Sequence, residues 1–133
     1  MSENSIYYEY LQLTKQYQST YGENTVVLLQ VGAFFEVYGF RCPDTKEVRG
    51  SKINEFSQLC NLNISEKKTI YDSQQVLMAG FRDYQLDKYL QKITAGGYTA
   101  VVYVQQKQGT VITRIFDSVH SAGTFMSYDS ELS

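Results

Sequence analysis

Phe34 and Glu36 stand two residues apart in Gly32-Ala33-Phe34-Phe35-Glu36-Val37-Tyr38, a segment that reads as β-strand. Residues two apart on a strand share a face. An aromatic ring that can stack and a carboxylate that can accept a hydrogen bond, or take up a proton and donate one, would then project together. Alternation continued through the whole stretch assigns Leu29, Val31, Ala33, Phe35 and Val37 to a core face, and Gln30, Gly32, Phe34, Glu36 and Tyr38 to the other. On this reading Gly32 removes side-chain bulk beside Phe34 and allows another molecule close to the ring. The plain alternative is a half-buried strand aromatic beside a solvated edge charge.

Other reactive residue types are sparse. Cys42 and Cys60 are isolated thiols without a CxxC partner, and the single histidine, His120, has no Glu or Cys ligand motif beside it. Glu36, Asp44, Glu55 and Asp72 show no spacing suited to a metal-dependent nuclease, and no GxxxxGK[ST] phosphate loop is present. We therefore expect no catalytic residues, no metal and no cofactor in this chain. A small nuclease is the weakest reading; absence of turnover with added magnesium or manganese would remove it.

The elements that must position the Phe34/Glu36 pair follow from apolar periodicity. A first helix over about 6–20 carries Tyr7, Tyr10, Leu11 and Tyr17 on one stripe and stops at Gly22. Strands over about 25–31 and 34–40 follow, either two strands or one long strand bent at Gly32. A polar loop over 41–50 with Pro43-Asp44 reads as an insertion or contact arm. Ser51 or Lys52 opens a short helix to about Leu62, with Ile53, Phe56, Leu59 and Cys60 inward and Asn61 or Asn63 at its end. Strands over about 64–70 and 75–79 flank a turn near Asp72-Ser73. Asp83 suits the N-cap of a helix carrying Leu86, Tyr89, Leu90 and Ile93, which Gly96-Gly97 ends before a strand over about 98–105. A hairpin through Gly109 leads into a strand over 111–117. The fold class is α+β: one domain with a mixed β-sheet flanked by about three helices.

The 133 residues suffice for one core, with twelve tyrosines, no tryptophan and one proline. The N-terminus lacks a signal pattern and the apolar runs are too short to span a bilayer, so an intracellular location is expected, wherever the partner resides. Net charge is −2, which argues against a free-standing nucleic-acid binder. The distribution is uneven: residues 41–92 carry nine basic and seven acidic side chains, while residues 1–40 carry one and four. Arg41, Arg49, Lys52, Lys67, Lys68 and Arg82 supply this bias, although scattered surface charge explains them equally well.

Three landmarks in order carry a family resemblance. The stretch Leu28 to Tyr38 resembles the strand bearing Gly-Asp-Phe-Tyr-Glu-Leu-Phe in the N-terminal mismatch-recognition domain, domain I, of the MutS family, with Phe34 and Glu36 on its Phe-x-Glu motif. Val76-Leu77-Met78-Ala79-Gly80, then Tyr89-Leu90 and Gly96-Gly97, resemble the family's Pro-Met-Ala-Gly-Ile-Pro segment with its following helix and glycine turn. Arg114-Ile115-Phe116 and Ala122-Gly123-Thr124 resemble its closing strand and Pro-Gly-Thr exit. The chain departs from the pattern at Ala33, where Asp is usual, at Arg82, where proline is usual, and in a longer 41–52 segment.

The resemblance implies a DNA mismatch-recognition module over 1–125, followed by a polar tail or linker over 126–133 toward an absent connector domain. Phe34 would enter the minor groove at a mispaired or unpaired base, and Glu36 would read that base. Lys67, Lys68, Met78 and Arg82 would complete the DNA-binding surface, with Arg82 read alternatively as a solvated residue at the start of a helix. Implied partners are double-stranded DNA with a mismatch or small loop and the other domains of a dimeric parent. ATP and magnesium would bind a C-terminal ATPase domain outside this chain. The runner-up is a structural or partner-interaction module without lesion reading: a buried Phe34 would favour it, and an exposed Phe34 in a groove rimmed by basic residues would favour mismatch reading. RNA binding by exposed tyrosines is a further variant.

Overall fold

A computed structural model describes residues 4–122. The expected 126–133 tail and the Gly123-Thr124 exit lie outside the described residues. Helix α1 (Asn4–Tyr21) precedes strands β1 (Thr25–Val31), β2 (Phe34–Arg41) and β3 (Val48–Arg49), then helix α2 (Ile53–Cys60) and strands β4 (Ser65–Tyr71) and β5 (Gln74–Arg82). A 3-10 turn over Asp83–Gln85 leads into α3 (Leu86–Ala95), and β6 (Thr99–Gln108) and β7 (Val111–His120) close the sheet. Spatial order is β4-β5-β2-β1-β6-β7, with β3 also paired to β2. Among the described strands only β1 and β6 run parallel, joined by the long crossover that contains α2 and α3. This is the expected α+β domain, with a mixed sheet and three helices among the described residues.

Helices pack on both faces of the sheet at β2, whose consecutive residues point to opposite sides. Tyr38 meets Tyr7 and Tyr10 of α1 edge-on, with centroids 5.1 and 5.3 Å away. A Cβ at the next residue, Gly39, would collide with Ile53 of α2. Thus Phe34, Glu36, Tyr38 and Phe40 point toward the α1 side. Phe35 and Val37 point to the α2/α3 side, where Phe81 stacks on Tyr89 at 4.4 Å and packs near Phe56. Both rows are buried along most of β2, and the residues from Phe35 to Phe40 lie in the core.

Gly22, with φ of 108°, and Asn61, left-handed at φ of 55°, end α1 and α2 as their residue types suggest. Three expectations change. Of the two readings of 25–40, two separate strands is the one found, and β1 and β2 form an antiparallel hairpin with Val31 opposite Phe34. The reversal flips the assignments on β1, because cross-strand partners share a face. Leu29 and Val31 therefore lie on the side of Phe34 and Glu36, and Gln30 lies with Phe35.

The 41–50 segment does not extend as an arm. It folds back so that Val48 and Arg49 pair with Arg41 and Phe40, closed by the Cys42 N–H on the Glu47 carbonyl at 2.9 Å. Asp83 does not cap α3 through its side chain; its N–H extends the ladder to the Ala33 carbonyl at 2.8 Å, and the chain winds a 3-10 turn before α3 begins.

Candidate nucleic-acid interface

Phe34 is the first residue after a two-residue turn, Gly32-Ala33. Gly32 takes φ of 61° while Ala33 stays outside the positive-φ region, the pattern of a hairpin turn with glycine at its first central position. Neighbouring strands brace the turn on both flanks. The Gly32 N–H donates to Gln105 Oε1 at 2.7 Å, and the Gln105 N–H donates to Gln30 Oε1 at 2.9 Å. Arg114 Nε donates to the Gln30 carbonyl at 2.7 Å, and Asp83 holds the Ala33 carbonyl from the other side. The ring of Phe34 thus stands on a fixed base while remaining 40% exposed.

Its register partner on β5 is Arg82, whose guanidinium carbon lies 5.0 Å from the ring centroid. A cation over an aromatic face at this distance is attractive by about 0.5–1 kcal/mol at an exposed site. Arg82 is thus an exposed residue that ends β5 just before the 3-10 turn leading into α3, and its guanidinium lies on the Phe34 ring.

Glu36 occupies the next position on the same face and is only 8% exposed. Tyr38 Oη donates to Glu36 Oε1 at 2.5 Å. Burial, and then the bond to this carboxylate, push the Tyr38 phenol far above its ordinary range, so it keeps its proton and serves as donor. Opposite Glu36 stands Gly80, where an added Cβ would lie 2.5 Å from the Phe35 carbonyl oxygen and 3.3 Å from Glu36 Cγ. The glycine that makes room for the carboxylate is therefore Gly80. Gly32, around which no heavy atom would approach an added Cβ, is needed for its backbone angle.

Phe34, Glu36, Met78 and Gly80 line an open cleft of about 260 Å³ together with Asn63 and Ser65. Sequence reasoning put Tyr38 on the face of Phe34 and Glu36 and Gly80 in a family landmark without assigning either to the site, and it missed Asn63 and Ser65. The structure brings Phe34, Glu36, Met78 and Arg82 together but leaves Lys67 and Lys68 apart, on the outer strand β4. The register Ile70 opposite Gln75, continued without interruption, would set Lys67 opposite Met78; a bulge between Glu66 and Ile70 sets Ser65 there instead. Two other cations from the basic stretch are held in ion pairs, Arg41 with Glu66 and Arg49 with Glu47.

Cys42 and Cys60 are free thiols. Among the described residues no group of three His, Cys, Asp or Glu side chains could hold a metal ion, and no helix is long and apolar enough to cross a membrane.

The family model for MutS domain I matches residues 7–129, nearly the whole chain. The chain belongs to this family, a class of mismatch-repair recognition domains that are not themselves catalytic. Among curated proteins it is similar to a mutS homolog of Acanthamoeba polyphaga mimivirus, provisionally named a DNA mismatch repair protein, with 29% identity over 129 residues. That match covers 94% of this chain and 11% of the relative, so the chain spans about a tenth of the relative's length.

Proposed function

We propose that this domain reads lesions in double-stranded DNA for a longer, dimeric mismatch-repair protein, with Phe34 as a minor-groove wedge and Glu36 as the group that reads the displaced base. The observation that carries this reading is the Phe34 ring, exposed at a braced hairpin tip, backed by the Arg82 cation and adjoining the cleft that Glu36 lines. Inserting a wedge costs a few kcal/mol of unstacking per step, and stacking a base on an aromatic returns about 1–3 kcal/mol. The two nearly cancel, so the outcome depends on the DNA. A mispaired or unpaired base has already lost pairing and bends more easily, which makes insertion net favourable there and unfavourable at a matched pair.

A buried carboxylate sharpens this choice. Against a continuous duplex the Glu36 oxygen that Tyr38 does not engage meets phosphate repulsion without a base partner, whereas a displaced base offers a hydrogen-bonding edge. Met78 supplies the apolar floor of the cleft, and Lys67 and Lys68 reach phosphates away from it. ATP hydrolysis, with magnesium, belongs in this proposal to another domain of the longer protein.

A second reading, a structural or partner-interaction module, is favoured by the exposed apolar side chains Val111, Ile112, Ile115 and Phe116 on β7. Binding of the full-length protein to a single-mismatch duplex and its matched control at fixed salt, with and without Phe34→Ala, separates the two. Selective binding lost in the variant supports the wedge. Equal binding of both duplexes by both proteins supports the interaction module.

A further inference from the structure

Glu36 can meet a base through only one face of its carboxylate, and the structure shows what holds the other. Tyr38 lies two residues along β2 on the same side, is 2% exposed, and is not among the residues that line the cleft. Its ring is fixed edge-on between Tyr7 and Tyr10, and Tyr10 Oη is itself anchored on the Val27 carbonyl at 2.9 Å. From this position its hydroxyl reaches Glu36 Oε1 at 2.5 Å. The MutS pattern quoted above has phenylalanine at the corresponding place, so the hydroxyl is a departure from that pattern.

We propose that Tyr38 is a positioning residue for lesion reading, a buried donor that occupies Glu36 Oε1 from the core side and presents Oε2 to the cleft as an acceptor for the N–H edge of a displaced base. The proposal rests on the lesion-reading role of Glu36. An ionised carboxylate only accepts hydrogen bonds, and a protonated phenol beneath it satisfies one oxygen without competing for the other. Fixing one oxygen also fixes the carboxylate plane. The base then binds a group already oriented, and less ordering is needed on binding. A bare phenylalanine at this position would leave the carboxylate free to turn toward solvent and would remove a charge-assisted bond.

The test uses the full-length protein, a duplex with one unpaired thymine, whose N3–H is a donor, and the matched duplex at fixed salt. Tyr38→Phe keeps the ring between Tyr7 and Tyr10, so its effect is read through the hydroxyl alone. Loss of a charge-assisted hydrogen bond is expected to cut the preference for the lesion by about tenfold. In a Glu36→Ala background the same change is expected to have no effect, because nothing remains to be positioned. Unchanged selectivity in Tyr38→Phe overturns the assignment, as does an equal loss in both backgrounds, which marks a merely structural hydroxyl. Should Phe34→Ala and Glu36→Ala both keep full selectivity, the lesion-reading role itself falls and this inference with it. If those two lose selectivity while Tyr38→Phe keeps it, only the positioning role is refuted.

Discussion

A methyl group at position 80 would enter the space between two neighbouring backbones, 2.5 Å from the Phe35 carbonyl oxygen and 3.3 Å from Glu36 Cγ. The carbonyl of a central strand does not give way at little cost, and the carboxylate does so only by shifting from its buried position. Overpacking of this kind typically destabilises by about 1–3 kcal/mol. Gly80→Ala is therefore expected to lower the urea midpoint of the domain with little change in the slope of unfolding free energy against denaturant. It should also weaken lesion selectivity, since Glu36 is the part that can move. An unchanged midpoint would show that the cleft is looser than its geometry states. Composition and spacing identified Phe34 and Glu36 as a pair on one face, and the structure places them so. The importance of Gly80 was not legible, because it arises from a cross-strand pairing that local sequence does not specify.

At the scale of elements, the β1–β2 hairpin is held by groups far away in sequence. Gln105 on β6 links to it twice, accepting from the Gly32 N–H through its side chain and donating its own N–H to Gln30 Oε1. Replacing Gln105 by alanine removes only the first link and leaves the turn N–H to water. The expected cost is about 1 kcal/mol of stability, and faster hydrogen exchange at the Gly32 amide with the β1 core amides unchanged would localise the effect. Protection at Gly32 equal to the wild type would mean that the side chain does not brace the turn.

Helices and most strand positions were legible because apolar stripes and stop residues such as Gly22 and Asn61 act locally. The hairpin was ambiguous because Gly32-Ala33 is a weak turn signal between apolar runs that a bent strand would also satisfy. The bulge in β4 had no signal in sequence, and it carries Lys67 and Lys68 away from Met78. A regular β4–β5 hairpin would have put Lys67 beside the cleft.

For the molecule as a whole, the net charge of −2 limits how much of any DNA affinity this domain can supply. Arg41 and Arg49 are engaged with Glu66 and Glu47, whereas Lys67, Lys68 and Arg82 form no ion pair among the described residues. Each phosphate neutralised contributes about −0.9 to the slope of log affinity against log salt. The separation of the two lysines from the cleft then predicts a division of labour. Changing Lys67 and Lys68 together to alanine in the full-length protein should make that slope shallower by about 2 units for mismatched and matched duplexes alike, with the ratio of the two affinities preserved. Arg82→Ala should instead lower the ratio, because the lost cation lies on the Phe34 ring rather than at a remote phosphate. Salt titrations of both variants on both duplexes measure this. If the double lysine variant changes the ratio and leaves the slope alone, β4 lies against the lesion in the complex, and the surface assigned to phosphates would have to be redrawn around it.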